Sequence, residues 1–251
     1  MHMTGNTILV TGATSGIGRA LAEEFHARGN QVIATGRRQH MLDEMMAANP
    51  GLLGYTLDVD DRAAIGDFAR KVIVDHPALN VLINNAGISR AEDMAVSQPD
   101  IETAQAILRT NVGAVIDITL ALLPHLRRQA SACVMATTSG LAFVPRAHYP
   151  TYCASKAFLH SWLQSLRSQL QGGVEVLELA PPYVQTELGG PSQADDPAAM
   201  PLADFIAEVM HLLTEGKTPD GEVLVARVRS LRTAAQKGQY REIYALLNAD
   251  P

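Results

Sequence analysis

Tyr152 and Lys156 stand four residues apart in a stretch, Pro150 to Gln171, whose pattern predicts a helix, so both side chains fall on one face. A tyrosine that exchanges protons near neutral pH must be helped, because the ordinary phenol pKa is about 10. A neighbouring ammonium favours the phenolate and supplies that help. Taken alone the pair is a weak signal, since Tyr and Lys meet at helical spacing on many surfaces. Its weight comes from a glycine-rich turn far upstream. Thr11-Gly12-Ala13-Thr14-Ser15-Gly16-Ile17-Gly18 follows a predicted strand and opens a predicted helix, the context in which such a turn cradles a pyrophosphate. Gly12 allows the tight turn, Gly16 lets the backbone approach the anion, and Gly18 permits close helix packing. With Thr14, Ser15 and Ile17 these residues form a candidate dinucleotide cradle, in which unpaired amides and the positive helix end face the anion. The plainer reading is a glycine turn with no ligand.

The elements that must position these groups alternate along the chain. Short apolar or β-branched runs predict strands at Thr7 to Thr11, Gln31 to Thr35, Gly54 to Leu57, Val81 to Asn84, Ala132 to Thr137, Val174 to Leu179 and Glu222 to Ala226. Between them, amphipathic stretches predict helices at Gly16 to Ala27, Gln39 to Ala48, Arg62 to Asp75, Pro99 to Gln129, Pro150 to Gln171 and Leu202 to Thr214. The expected fold is α/β, a doubly wound seven-stranded parallel sheet with helices on both faces. No repeat or linker divides the chain, so residues 1–251 are expected to form one domain. Residues 189–201 lack periodicity and predict a surface loop. A tail from about residue 229 is expected to end in a short helix near Arg241 to Leu247.

Composition narrows the classes. With 47% hydrophobic and 18% charged residues in 251, disorder and coiled-coil readings fail. A formal charge of -6 gives no pull toward phosphate backbones, so nucleic acid is not an expected partner. Cys133 and Cys153 show no metal-ligand spacing, and no metal is expected. No basic opening followed by an apolar run starts the chain, and Ile116 to Leu126 is interrupted by Asp117, Pro124 and His125. A cytoplasmic protein without a membrane partner is the expectation.

The spacing GxxxGxG, rather than GxGxxG, resembles the short-chain dehydrogenase/reductase family, whose single-domain type carries TGxxxGxG. The resemblance continues through Asp58-Val59, Asn84-Asn85-Ala86-Gly87, Asn111, Ser139 and Tyr152-Cys153-Ala154-Ser155-Lys156, and only the tail beyond about Ala226 lies outside it. It implies that Tyr152 is the general acid/base and that Lys156 lowers its pKa and binds the nicotinamide ribose. Ser139 would hydrogen-bond the substrate oxygen, and Asn111, at an irregular point of the long fourth helix, would hold a relay water. Asp58 would bond the adenine amino group, with the Val59 backbone supporting the ring. Asn85, Ala86 and Gly87 would line the adenosine ribose side, while Asn84 reads as structural. Val184 and Thr186 match positions that hold the carboxamide. One departure stands out: Ala180-Pro181-Pro182-Tyr183 replaces the usual Pro-Gly, and this double proline resembles a bacterial subgroup named for an oxidoreductase of the D-alanylation operon.

At the end of the second predicted strand the chain reads Thr35-Gly36-Arg37-Arg38, where an acidic residue would accept from ribose hydroxyls. A guanidinium there suits a 2'-phosphate, so NADP(H) is expected over NAD(H), with Arg37 as the holder, Ser15 as a second donor and Arg38 as solvated charge. Met200, Leu202 and Phe205 are read either as an apolar substrate wall or as anchors for the next helix. Leu159, Trp162, Leu163 and Leu166 are read either as core or as part of a homodimer or homotetramer interface. His148 and His160 are expected to be solvated or locally satisfied, and Cys153 to be a packed thiol. The leading expectation is an NADPH-dependent oxidoreductase of a small carbonyl/alcohol pair. A catalytically silent nucleotide-binding regulator, and an isomerase or dehydratase that uses the cofactor transiently, are the alternatives.

Overall fold

Apolar residues on consecutive positions need cover on both faces, and a parallel sheet between two helical layers provides it. In the computed structural model, which describes residues 1–249, β1 (Thr7–Val10), β2 (Gln31–Gly36), β3 (Leu53–Thr56), β4 (Leu79–Asn84), β5 (Ala132–Thr137), β6 (Val174–Leu179) and β7 (Glu222–Val223) form one sheet. Their order is β3-β2-β1-β4-β5-β6-β7, and every pairing is parallel. The strand order reverses beside β1, which pairs with both β2 and β4. In an open α/β sheet that is where a crevice forms outside the carboxyl ends of the strands.

One layer holds α1 (Gly16–Ala27), α2 (Gln39–Ala48) and α7 (Leu202–Thr214), which bury Leu21, Phe25, Leu42, Phe205 and Val209 against the sheet. The other holds α3 (Arg62–Asp75), α5 (Ala114–Leu126) and α6 (Pro150–Gln169), which bury Phe68, Ile118, Leu122, Leu159 and Leu163. Local chemistry sets several helix starts. Asp61 accepts from the amides of Ala63 and Ala64 at the head of α3, and Pro150 occupies the first turn of α6.

Two expected elements change form, and other boundaries move by at most two residues. The helix expected over Pro99 to Gln129 is α4 (Ile101–Leu108), a π-helical turn at Arg109–Gly113, and α5. Asn111 lies inside that turn, so the expected irregular point is present. By length and composition Ile101–Leu126 could cross a membrane, with a mean hydropathy of 1.6, but α5 packs on α3 and α4 packs on α6. Strand β7 is only two residues long, because a 3-10 turn at Ala226–Val228 takes the chain off the sheet edge. Two short helices follow, α8 (Arg229–Thr233) and α9 (Tyr240–Leu247).

The residues with two readings resolve by burial. Phe205 is fully buried, while Met200 and Leu202 pack on the same core cluster, so all three anchor α7. Leu159, Leu163 and Leu166 are buried in their own core, with Trp162 packed beside them. The apolar side chains these helices leave exposed are Ile101, Leu108, Leu120 and Phe158.

Candidate active site

The turns after β1, β2, β4, β5 and β6 converge at the carboxyl edge of the sheet around a cleft of about 490 Å³. Gly12 opens it with a φ of +64°, and a Cβ there would stand 2.7 Å from the Cα of Ala86. Only glycine allows the β1 and β4 exits to approach so closely. Thr11 locks the approach: its Oγ1 accepts from the backbone amides of Asn85 at 3.0 Å and Ala86 at 3.1 Å.

Of the expected cradle residues, Gly12, Thr14, Ser15, Gly16 and Ile17 line the cleft. Gly18 does not; it lies behind the wall, where a Cβ would collide with the amide of Asn85. Ser15 caps α1 in extended conformation, and its side chain makes no bond to the first-turn amides. Those donors and the positive helix end therefore stay available to an anion, which is what a pyrophosphate requires. The glycine approach and these free donors fit a dinucleotide.

The adenosine side departs from expectation at one residue. Arg38, expected to be solvated charge, donates from Nη2 to Thr14 Oγ1 and Ser15 Oγ, both at 2.9 Å, and so arches over the cradle. The cause is backbone direction: Arg38 is the N-cap of α2, and its side chain folds back toward the turn after β1. Arg37 is exposed and lines the cleft beside it. Asp58, Val59, Ala86 and Gly87 line it as well. Asn85 also lines it, yet its amide donates to the carbonyls of Thr11 and Gly12 at 3.3 Å, so it ties the framework together, as Asn84 does through Thr119 Oγ1 at 2.9 Å.

At the far end of the same cleft stand Ser139, Tyr152 and Lys156. Lys156 is buried, its Nζ donates to the carbonyl of Thr137 at 2.8 Å, and it sits 5.7 Å from the centre of the Tyr152 ring. Burial pushes the lysine pKa down to about 8 and the Tyr152 phenol up to about 12, with a hydrogen bond to Ser139 acting in the opposite sense on the phenol. In this structure desolvation is the main influence on the phenol, and it raises its pKa. Ser139 caps a 3-10 turn, its Oγ accepting from the Leu141 amide at 3.1 Å.

Asn111 does not reach the cleft wall. Its Oδ1 accepts from the Ile88 amide at 2.9 Å, and its Nδ2 donates to the Ile88 carbonyl at 3.0 Å and to Ser155 Oγ at 3.1 Å. Both amide protons are engaged within the protein, and the side chain joins the β4 exit to α6. Gly87 lies beside both groups: a Cβ there would stand 3.3 Å from Asn111 Oδ1 and 3.6 Å from Lys156 Nζ.

Val184 and Thr186 line the cleft after β6. Gln193, which sequence reasoning missed, joins them. Its Nε2 donates to the Val184 carbonyl at 2.7 Å and to Thr186 Oγ1 at 3.2 Å, strapping the 189–201 loop across the cleft. No periodicity marks a glutamine in such a loop, so only the folded chain reveals it. The double proline stays compatible with the cleft: Pro181 and Pro182 line it, and the Pro181 carbonyl accepts from the Gly140 amide at 2.8 Å.

A dinucleotide cradle at a strand-order reversal, with a buried Tyr-Lys pair and a serine at its far end, is the equipment of an NAD(P)-dependent oxidoreductase. The chain belongs to the short chain dehydrogenase family, whose pattern matches residues 6–197. It is similar to the uncharacterized oxidoreductase DltE of Bacillus subtilis (strain 168), 36% identical over 252 residues and covering 99% of this chain and 98% of the relative. A short-chain dehydrogenase from Streptomyces avermitilis superimposes with a TM-score of 0.81 at 28% identity, over 95% of this chain and 94% of that one. One from Burkholderia cenocepacia, solved with NADP, shares the fold at a TM-score of 0.83 and 23% identity over the full length of both.

The lysine pKa has a consequence for stability. Between about 8 and its unfolded value of about 10.4, the unfolded chain holds a proton on Lys156 that the folded chain lacks, so unfolding free energy rises with pH across this window. Urea unfolding at pH 8 and pH 10 should show wild type gaining stability relative to Lys156→Met. Identical slopes for the two proteins would contradict the buried, depressed ammonium.

Proposed function

We propose that the protein is an NADPH-dependent oxidoreductase that interconverts a carbonyl and an alcohol, with Tyr152 as its general acid/base. The observation that carries this reading is a single cleft walled at one end by the glycine turn and at the other by Ser139, Tyr152 and Lys156. When bound, NADPH supplies the hydride. The chain supplies the proton and the geometry. In the reducing direction the Tyr152 phenol donates its proton to the carbonyl oxygen as negative charge develops there, and the Ser139 hydroxyl donates a hydrogen bond to the same oxygen. A phenol held at about 12 is fully protonated near neutral pH, which suits the role of acid in reduction. Lys156, fixed by the Thr137 carbonyl, presents its ammonium to the nicotinamide ribose side of the cleft. Asn111 positions Lys156 and α6 through Ile88 and Ser155.

The preference for NADPH rests on charge. The end of β2 carries Arg37 and Arg38 and no carboxylate, and Arg38 already bonds the two hydroxyls of the cradle. A 2'-phosphate beside them would gain charge-assisted bonds, whereas a bare ribose would not. The proposal includes a cytoplasmic location, which two unpaired buried cysteines suit. It also includes a homodimer or homotetramer, formed through the apolar residues left exposed on α4, α5 and α6: Leu108, Leu120 and Phe158.

Tyr152→Phe should lower carbonyl reduction at least about 100-fold while leaving the NADPH Kd within a few-fold, read by absorbance at saturating cofactor over a panel of aldehydes, ketones and diketones. Turnover equal to wild type would remove Tyr152 as the acid. Arg38→Asp should cut the NADPH-over-NADH ratio of kcat/KM by roughly 10- to 100-fold, and more than Arg37→Asp does, in line with about 1.5–3 kcal/mol for a charged hydrogen bond. Selectivity unchanged in both variants would end the arginine argument. Leu120→Lys with Phe158→Glu should convert an oligomer to a monomer in light scattering; a monomeric wild type would dismiss the interface.

A further inference from the structure

Behind Ser139 lies a buried polar cluster that the proposed chemistry does not use. Glu178 on β6 and Glu222 on β7 are register partners in adjacent parallel strands, and both are buried. Their carboxylates and His160 lie within 4.8 Å of one another. Two carboxylates so placed repel strongly unless each is compensated. Glu222 is held by Arg232 of α8, whose Nε and Nη2 donate to the two carboxylate oxygens at 2.6 and 2.9 Å. Glu178 accepts from Thr138 Oγ1 at 2.6 Å and is bonded to His160 Nδ1 at 2.7 Å. Every carboxylate oxygen therefore has a protein partner, which argues against a metal ion there.

The cluster touches the active site at two places. Thr138, whose hydroxyl Glu178 holds, is the residue before Ser139 and lines the same cleft. Gly140, the residue after it, is packed from behind by the C-terminal segment, and a Cβ on Gly140 would stand 2.7 Å from Leu231 Cδ1 and 2.8 Å from Val228 Cγ2. Arg232 adjoins Leu231 and also stacks over Phe143, 5.2 Å from the ring centre, while Phe143 meets His160 edge-on at 5.0 Å. The serine turn is thus pressed between Glu178 on one side and residues 228–231 on the other, and the fork from Arg232 to Glu222 pins the second wall to the sheet.

We propose that Arg232 is a positioning residue for Ser139: by pinning residues 228–231 to Glu222 it makes the C-terminal segment the back wall of the serine turn. The inference rests on the reading of Ser139 as donor to the substrate oxygen. Arg232 does not line the cleft. A loosened wall lets the Ser139-Gly140 turn move, so the donor spends less time where the developing oxyanion forms, and the loss falls on kcat rather than on binding.

The test compares wild type, Ser139→Ala, Arg232→Met, Arg232→Lys and the double variant Ser139→Ala/Arg232→Met, all at a temperature where circular dichroism shows them folded. With NADPH and 4-nitrobenzaldehyde as the probe carbonyl, Arg232→Met should lower kcat about 10-fold with KM and NADPH Kd within two-fold, and Arg232→Lys, which keeps the charge but not the two-point fork, should recover part of it. Added to Ser139→Ala, the same change should cost nothing further, as expected of two residues acting through one step. Without cofactor or substrate, amide exchange at Gly140 and Leu141 should speed up at least 10-fold in Arg232→Met while β1 and α1 stay protected. Should Arg232→Met fail to fold, Glu222→Gln/Arg232→Met removes both charges of the pair and is read in the same way. Unchanged exchange at the turn, additive losses with Ser139→Ala, or exchange raised throughout the chain would each overturn the proposal. A Ser139→Ala variant with full turnover would instead defeat the reading of the serine, while the exchange arm still decides whether the wall acts.

Discussion

Lys156 carries an amine into a place where 4% of the residue meets solvent, and the carbonyl of Thr137 receives it. Such a group is costly to bury unless it is hydrogen-bonded, so the sheet and helices around it must hold one geometry. Thr137 is the last residue of β5, and Lys156 is on α6, which packs over that strand's neighbour β6. The bond therefore welds the layer to the sheet where strand ends and cleft meet. Gly87 lies beside the same nitrogen.

Much of this was readable in the residues because the signals are local. Apolar runs in β1, β4 and β5 announce strands covered on both faces, and the glycine turn sits between a strand and a helix as its spacing demands. The family resemblance, rather than a local signal, implies the irregular point at Asn111, and a π-helical turn is there. What the sequence hid depends on where side chains go after the backbone turns. Arg38 rather than Arg37 reaches the cradle hydroxyls because a helix cap redirects it, and Gln193 reaches back over the cleft from a loop with no pattern. The extent of burial at Tyr152 is also out of reach of the sequence. Four-residue spacing brings an ammonium near a phenol but says nothing of how much water either group loses.

The same limit explains the residues with two readings. Phe205, Leu159 and Leu163 look alike in sequence whether they face a substrate, a partner or the core; only full burial in separate layers separates these roles. The double proline is a departure from the family's usual Pro-Gly. The carbonyl of Pro181 receives the amide of Gly140, so the rigid pair helps support the serine turn. Proline removes a donor but keeps its acceptor, and here the acceptor is what the neighbouring turn needs.

Strand β7 has a consequence of another kind. An open sheet ends in unpaired backbone groups that invite a foreign strand to add itself, the first step toward uncontrolled assembly. Here the outermost strand lasts two residues, its acidic side chain points inward to an arginine, and the chain then curls away into a 3-10 turn. A stranger seeking to zip onto this border finds almost no backbone to read. The feature that seats the C-terminal segment also keeps the sheet from growing at this edge.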